Sequence, residues 1–316
     1  MPQPPAPSPQ PPSSWQCAWA GFCHKPAQAH CQGVGRGVLD ACPYAGRVTL
    51  VATDIDGTIL PRSGVMSERT KRALASLADA GIPLVLVTAR PPRWLADVAD
   101  QANMDGLAVC ANGAVHFDLR SRQVLEVDDI AAEPLYEAAA ILREALPGIV
   151  FAVETVTGLA LEPEFPGSER GLTGRGVGRL EELAATRDHS TIKLLATVPD
   201  GDADAMLAVA QAAVGHLLEP SHSNAQLPLL EFAPLGVDKA SGLQHVASRL
   251  GVAARDVIAF GDAPNDVPML RWAGTSYAVA NAHPSVLAVA THRTASVDDD
   301  GVALVVEELL AARGGA

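Results

Sequence analysis

From Val48 to Thr53 the chain runs apolar and β-branched without a polar break, the pattern of a strand buried on both faces. A 3.6-residue period follows over Ser67 to Ala80: Ser67 is a capping residue, Leu74, Leu77 and Ala78 share one face, and Gly81 closes the helix. Pro83 to Thr88 is a second buried strand, Pro91 opens the next helix, and Leu107 to Ala111 is a third strand ending at Asn112-Gly113. Strand and helix in strict alternation predict a parallel sheet covered on both faces, an α/β fold.

After this the rhythm loosens. Strands are expected at 122–127, 149–154, 191–198 and 229–233 and helices at 133–146 and 202–214, with Gly- and Thr-containing turns at 155–158 and 167–178. The alternation returns after Pro234-Leu235-Gly236, with a helix at 239–250, a strand from Asp256 to Phe260, a loop at 261–266, a strand from Ser276 to Ala280 and a closing helix near 301–312. The expected organisation is therefore a core of residues 47–117 and 234–316, with a smaller α/β unit, 118–233, inserted into it.

Residues 1–46 are different in kind: they hold nine of the 24 prolines, and only Lys25, Arg36 and Asp40 carry charge. Such a segment neither runs a helix nor fills a core, and it reads as a flexible leader. Cys17, Cys23, Cys31 and Cys42 lie in it, without the tight Cys-x-x-Cys pairs of a zinc module. Five cysteines so spread offer no disulfide framework, which suits a reducing cytoplasm. The 316 residues are 48% apolar with no run of about 18 apolar residues, so no membrane span is expected. A net charge of −13 repels nucleic acid and anionic lipid, so an anionic small substrate needs a local cation to receive it.

The acidic residues that matter chemically stand where strands end. Asp54 and Asp56, in Asp54-Ile55-Asp56-Gly57-Thr58, follow the first strand, and the carboxyl edge of an open parallel sheet is where ligands bind. Two carboxylates so placed invite a hard cation; one of them beside Mg²⁺ can attack phosphorus, and the other can move the proton. Thr88 ends the second strand, offering a hydroxyl and the following backbone N–H groups to phosphoryl oxygens. Lys239 opens a helix in a chain with only four lysines, and its ammonium can offset charge on the transferring group. Gly261-Asp262-Ala263-Pro264-Asn265-Asp266 adds a third carboxylate for the metal, an amide for phosphate, and Asp266 as a partner for Lys239.

In order and spacing these four segments resemble the haloacid dehalogenase superfamily, in its Cof-type phosphatase branch, over residues 47 to 312. The resemblance implies a Rossmann-like doubly wound core, an inserted α/β cap, Mg²⁺, and hydrolysis of small phosphorylated metabolites such as sugar phosphates. It implies Asp54 as nucleophile through an aspartyl-phosphate, Asp56 as general acid/base, and Asp262 as metal ligand together with Asp54 and the Asp56 carbonyl. Thr88, Ala89, Lys239 and Asn265 would hold the phosphoryl, with Asn112-Gly113 as the turn before the cap. The family often has Gly where this chain has Ala89, which matters only if the backbone there needs positive φ.

Substrate choice is then expected from the cap, with Glu154, Glu164, Arg170, Arg175, His189 and Lys193 as polar candidates and Arg90 at the core edge. Two rivals share the chemistry. A phosphosugar mutase would return the phosphoryl to another hydroxyl of the substrate. A receiver-like phosphoacceptor would stop at the aspartyl-phosphate, but the long insertion and a second catalytic carboxylate argue against it.

Overall fold

The computed structural model describes residues 50–102, 104–166, 176–180, 182 and 190–314. The leader, Val48, Thr49, Arg170, Arg175 and His189 lie outside the described residues. Strand β1 (Leu50–Thr53) is fully buried, as its unbroken apolar run requires. Helix α1 (Glu68–Asp79) begins where Ser67 accepts a bond from the Thr70 N–H at 3.0 Å. It ends where Gly81 takes φ +68°. Its buried face is Thr70, Ala73, Leu74 and Leu77; Ala78, expected on that face, points to solvent because the stripe follows the 3.6-residue period through Ala73 instead.

Strands β2 (Leu84–Val87) and β3 (Leu107–Cys110) follow, separated by a 3₁₀ turn at Pro92–Trp94 and the short helix α2 (Ala96–Gln101). Strands β4 (Val115–Asp118) and β5 (Gln123–Val127) then form an antiparallel hairpin. The Asp118 side chain closes its turn by accepting from the backbone of Arg120 and Ser121, and Arg122 takes φ +55°.

A second sheet contains β6 (Val150–Thr155), β7 (Leu159–Leu161), β8 (Gly176–Val177), β9 (Thr191–Thr197), β10 (Leu218–Ser221) and β11 (Leu229–Pro234), in the order β10-β11-β9-β6-β7-β8. Helices α3 (Ala132–Ala145) and α4 (Ala203–Val214) pack on it through Leu135, Leu142, Met206 and Ala210, meeting Phe151, Leu194 and Phe232. The chain returns to the first sheet through α5 (Lys239–Arg249), β12 (Val257–Gly261), α6 (Val267–Trp272), β13 (Thr275–Ala278), α7 (Pro284–Leu287), β14 (His292–Arg293) and α8 (Gly301–Gly314).

The first sheet has the order β14-β13-β12-β1-β2-β3-β4-β5, with β14 through β3 parallel. The expected α/β architecture of a parallel-rich sheet with an inserted smaller α/β unit is thus the observed one. One expectation changes: the strand at 122–127, expected within the insertion, pairs as β5 with β4 at the edge of the first sheet. Its residues alternate between exposed and half-buried, a pattern that marks an edge strand without saying of which sheet. The second unit accordingly starts after Val127. Strand order reverses between β1 and β12, so the crevice of the switch point opens beyond the ends of these two strands.

Candidate active site

Asp54 follows β1 directly, and its backbone N–H donates to the Phe260 carbonyl of β12 at 3.0 Å, fixing it in that crevice. The carbonyl of Ile55 accepts from Ile59 and Leu60, which folds the next residues into a tight turn. Gly57 in that turn has φ +82°, and a Cβ there would stand 2.3 Å from Asp262 Oδ2. Only glycine lets the two loops approach so closely. Thr58 seals the approach, its hydroxyl donating to Asp262 Oδ1 at 2.9 Å.

Lys239 is 1% exposed and begins α5, which is held by a reciprocal cap in which Asp238 accepts from the Ser241 N–H at 2.7 Å. Its Nζ donates to Asp54 Oδ1 and to Asp266 Oδ1, both at 2.6 Å. Asp266 is fully buried, and its Oδ2 accepts from the backbone N–H groups of Asp262 and Ala263 at 2.9 Å each. With both oxygens engaged, Asp266 acts as a strut between Lys239 and the loop that presents Asp262.

Three carboxylates, Asp54, Asp262 and Asp266, therefore crowd one ammonium, with an oxygen of each within 4.8 Å of the others. Burial, then the neighbouring Asp266, pushes the Asp262 carboxyl up to about 7. Asp54 is raised as well, by burial and by Asp266, Asp262 and the nearby Asp56, against the pull of Lys239. Burial acts to lower Lys239, but Asp266 and Asp54 outweigh it and hold the ammonium charged. The surplus negative charge and the all-oxygen donor set fit a hard divalent cation. Asp54 and Asp262 are the carboxylates that can hold it, because Asp266 is already committed.

Asp56 stands apart from that cluster. Its side chain is 55% exposed and is gripped by the Arg90 fork, with Nε to Oδ2 at 2.7 Å and Nη2 to Oδ1 at 2.5 Å. Arg90 thus faces a catalytic candidate rather than open solvent, a pairing that sequence spacing does not reveal. Thr88 is buried, its backbone N–H donates to the Val109 carbonyl at 2.8 Å, and its hydroxyl accepts from the Arg90 N–H at 3.1 Å. Ala89 is not among the residues of positive φ, so the absent glycine costs nothing there. Positive φ falls instead on Ala111, Asn112 and Gly113, at 51°, 58° and 113°. A Cβ on Gly113 would lie 2.2 Å from the Asp238 carbonyl oxygen, so this turn sets how closely α5 can bring Lys239.

A buried relay leads from the site into the inserted unit. Asn265 Nδ2 donates to Asn112 Oδ1 at 2.9 Å, and Asn112 Nδ2 donates to Glu231 Oε2 at 2.9 Å. Lys193 Nζ reaches the same Glu231 oxygen at 2.6 Å and the Ala89 carbonyl at 2.7 Å. Alongside, Arg93 donates to Glu154 at 2.5 Å. Lys193 and Glu154, two of the polar candidates of the insertion, are therefore buried in the seam between the two units; Glu164 is exposed and does not line the cleft. The cleft, about 520 Å³, is bounded by Asp54, Asp56 and Asp262 below and by the loop Ser223–Leu227 above. That loop was missed, although its polar Ser-Asn-Ala-Gln run between two strands of the insertion was the available signal.

The family model for haloacid dehalogenase-like hydrolases matches residues 51–306. The chain belongs to that family. This chain is accordingly an enzyme, a phosphatase of that family. A 5-amino-6-(5-phospho-D-ribitylamino)uracil phosphatase of Bacillus subtilis is 27% identical over 282 residues, covering 85% of this chain and 98% of its own. An HMP-PP phosphatase of Enterobacter is 26% identical over 250 residues, covering 77% of this chain and 88% of its own. A solved phosphatase of the superfamily from Bacteroides thetaiotaomicron superposes with a TM-score of 0.70 at 25% identity, covering 87% of this chain and 97% of that one. The first two are named for different substrates, and all three are phosphatases. Among the described residues no helix is long and apolar enough to cross a membrane.

Proposed function

We propose that this protein is a magnesium-dependent phosphatase that hydrolyses a small phosphate monoester through an aspartyl-phosphate on Asp54. The observation that carries this reading is the Lys239 ammonium shared by Asp54 and Asp266 at 2.6 Å each, with Asp262 beside them at the switch point of the sheet. Asp54, Asp262 and the Asp56 carbonyl would hold Mg²⁺, which when bound supplies charge neutralisation for the nucleophile and the phosphoryl oxygens.

In the first half-reaction Asp54 bonds to phosphorus as the ester oxygen departs, and Asp56 gives that oxygen a proton. To do so Asp56 leaves the Arg90 fork, which frees a guanidinium at the mouth of the cleft for the incoming dianion. In the second half-reaction Asp56 takes a proton from water, whose oxygen displaces Asp54 from phosphorus and releases phosphate. Lys239 offsets the charge, while Thr88, the Ala89 N–H and the Asn265 amide hold the phosphoryl oxygens.

The rest of the substrate meets Arg62, Asn224, Gln226, Asn281 and His283, a wall of amides and cationic or imidazole groups. Such a lining suits a hydroxyl-rich metabolite of sugar-phosphate size. A screen of phosphorylated metabolites read by phosphate release, with products followed by phosphorus NMR, tests the proposal. Free phosphate supports hydrolysis, and an isomerised ester would mean a mutase. Asp54→Asn should abolish turnover while circular dichroism stays unchanged, and activity retained in that variant would sink the mechanism.

A further inference from the structure

Away from the cleft, a second cluster joins the edge of the first sheet to α5. It consists of His116 on β4, Glu126 on β5 and His245 on α5, with one ligand-capable atom of each within 4.8 Å of the others. His245 Nε2 lies 2.8 Å from Glu126 Oε2, and the two imidazole rings stand 4.7 Å apart with a tilt of 36°. We propose that His116, Glu126 and His245 form a binding site for a borderline divalent transition ion of the zinc class, distinct from the carboxylate site for Mg²⁺.

The chemistry of the three groups fits that ion. His116 Nε2 is 3.1 Å from the Gly242 carbonyl, which can only accept, so the ring carries its proton on Nε2 and keeps Nδ1 as its basic nitrogen. A backbone carbonyl or carboxylate on the far nitrogen is the partner that orients metal-binding histidines. Glu126 is divided in the same way: Arg249 Nη2 holds Oε1 at 2.9 Å and leaves Oε2 directed at His245. Two imidazoles and one carboxylate select a borderline ion over Mg²⁺, which prefers an all-oxygen shell. The side chains of His245 and Glu126 are 38% and 28% exposed, while His245 Nε2 and His116 Nδ1 themselves are buried.

The position gives the site a consequence. Gly242, which receives the His116 bond, lies three residues, about one turn, beyond Lys239, and a Cβ on it would stand 2.9 Å from the Gly113 Cα. An ion here would pin the first turns of α5 to the sheet edge and so steady the helix that presents Lys239.

The test is zinc titration calorimetry of the full chain in saturating Mg²⁺, which occupies the carboxylate site, with Co²⁺ absorption as a second readout for imidazole ligands. The same measurements are made on His245→Ala, on Glu126→Gln, and on a variant with Cys17, Cys23, Cys31 and Cys42 changed to Ser. One equivalent of zinc is expected, with a raised melting temperature, and both should persist in the variant lacking the four leader cysteines. His245→Ala and Glu126→Gln should each weaken binding by more than about 100-fold, beyond what loss of an outer-shell partner costs. Their Mg²⁺-dependent phosphatase activity should remain, which shows that they fold. The proposal is overturned if the full chain takes up no zinc. Unchanged zinc affinity in His245→Ala and Glu126→Gln, or loss of binding in the variant lacking the four leader cysteines, would overturn it as well.

Discussion

Lys193→Met removes one charge from the buried seam and keeps the aliphatic stem. Lys193 and Glu231 are each 5% exposed at the side chain and 2.6 Å apart, a separation at which the Coulomb attraction is about 6 kcal/mol for an effective dielectric of 20. Desolvation of both groups consumes much of that gain, so the pair is worth less than it looks while intact. Breaking it is another matter. The Glu231 carboxylate stays buried with Asn112 and Ser223 as its remaining partners, and Glu154, opposite Lys193 on β6, loses a neighbouring cation. The expected cost is about 3–5 kcal/mol at neutral pH, against a total stability of about 5–15 kcal/mol for an ordinary domain.

The pH dependence identifies the cause. Burial acts to raise Glu231, but Lys193 and the hydrogen bonds from Lys193, Ser223 and Asn112 outweigh it and hold the carboxyl below its usual 4.5. A carboxylate lowered in the folded state stabilises the protein above its unfolded pKa, and that stability is lost as pH falls through the folded value. In Lys193→Met, burial acts with less opposition and Glu231 can take a proton, so the deficit should be largest near pH 7.5 and shrink toward pH 5. Urea unfolding followed by two probes, because the two sheets need not melt together, gives the magnitude. Lys193→Met/Glu231→Gln should recover about 2 kcal/mol or more of the loss, since Gln still accepts from Asn112. A single-variant cost under about 1 kcal/mol, or no recovery in the double variant, would refute the reasoning.

The metal site should show its protons. With Asp262 raised to about 7, a cation binding below that pH must displace a proton, so Mg²⁺ affinity should climb about ten-fold per unit from pH 5 to 7 and then level off. In the metal-free protein this raised carboxyl favours folding below the unfolded value of 3.8 and loses that contribution as pH rises through 7. Mg²⁺ should therefore stabilise more at pH 7.5 than at pH 5.5, and calorimetry showing flat affinity over that range would contradict the assigned ligands. Gly113→Ala forces a Cβ to within 2.2 Å of the Asp238 carbonyl in a backbone of φ +113°, and it should cost about 3 kcal/mol or more. Because Asp238 caps the helix that begins with Lys239, turnover should fall as well; an unchanged melting temperature and rate would show that the turn does not position α5.

The first sheet was readable because its strands announce themselves locally. Val51 and Ala52, or Leu84 to Val87, are apolar whichever neighbour they find, so burial on both faces follows from the run itself. The hairpin strand β5 was placed in the wrong unit for the opposite reason. Gln123 to Val127 alternates like any edge strand, and which sheet it joins depends on β4 lying beside it. Two- to four-residue strands such as β8, β10 and β14 carry too few positions to show a period at all.

The candidate site divides along the same line. Asp54, Thr88, Lys239 and Asp262 could be singled out because each sits at a strand end or helix start, and topology brings every such end in a parallel sheet to one edge. Nothing local marks Glu231: it sits mid-strand at a position where an apolar residue would serve the sheet equally well. Its role exists only through Lys193, 38 residues away, and Asn112, 119 residues away. The same holds for Arg90, whose hold on Asp56 spans 34 residues. Chemistry that a sheet edge imposes on its own loops is thus legible from one chain, whereas the contacts by which the inserted unit grips that edge are pairings that appear only once both partners are in place. From the sequence, Lys193 is a polar candidate of the insertion for substrate contact. The fold instead turns its ammonium inward, onto the Ala89 carbonyl, so its effect on catalysis should be felt through the loop proposed to hold the phosphoryl group.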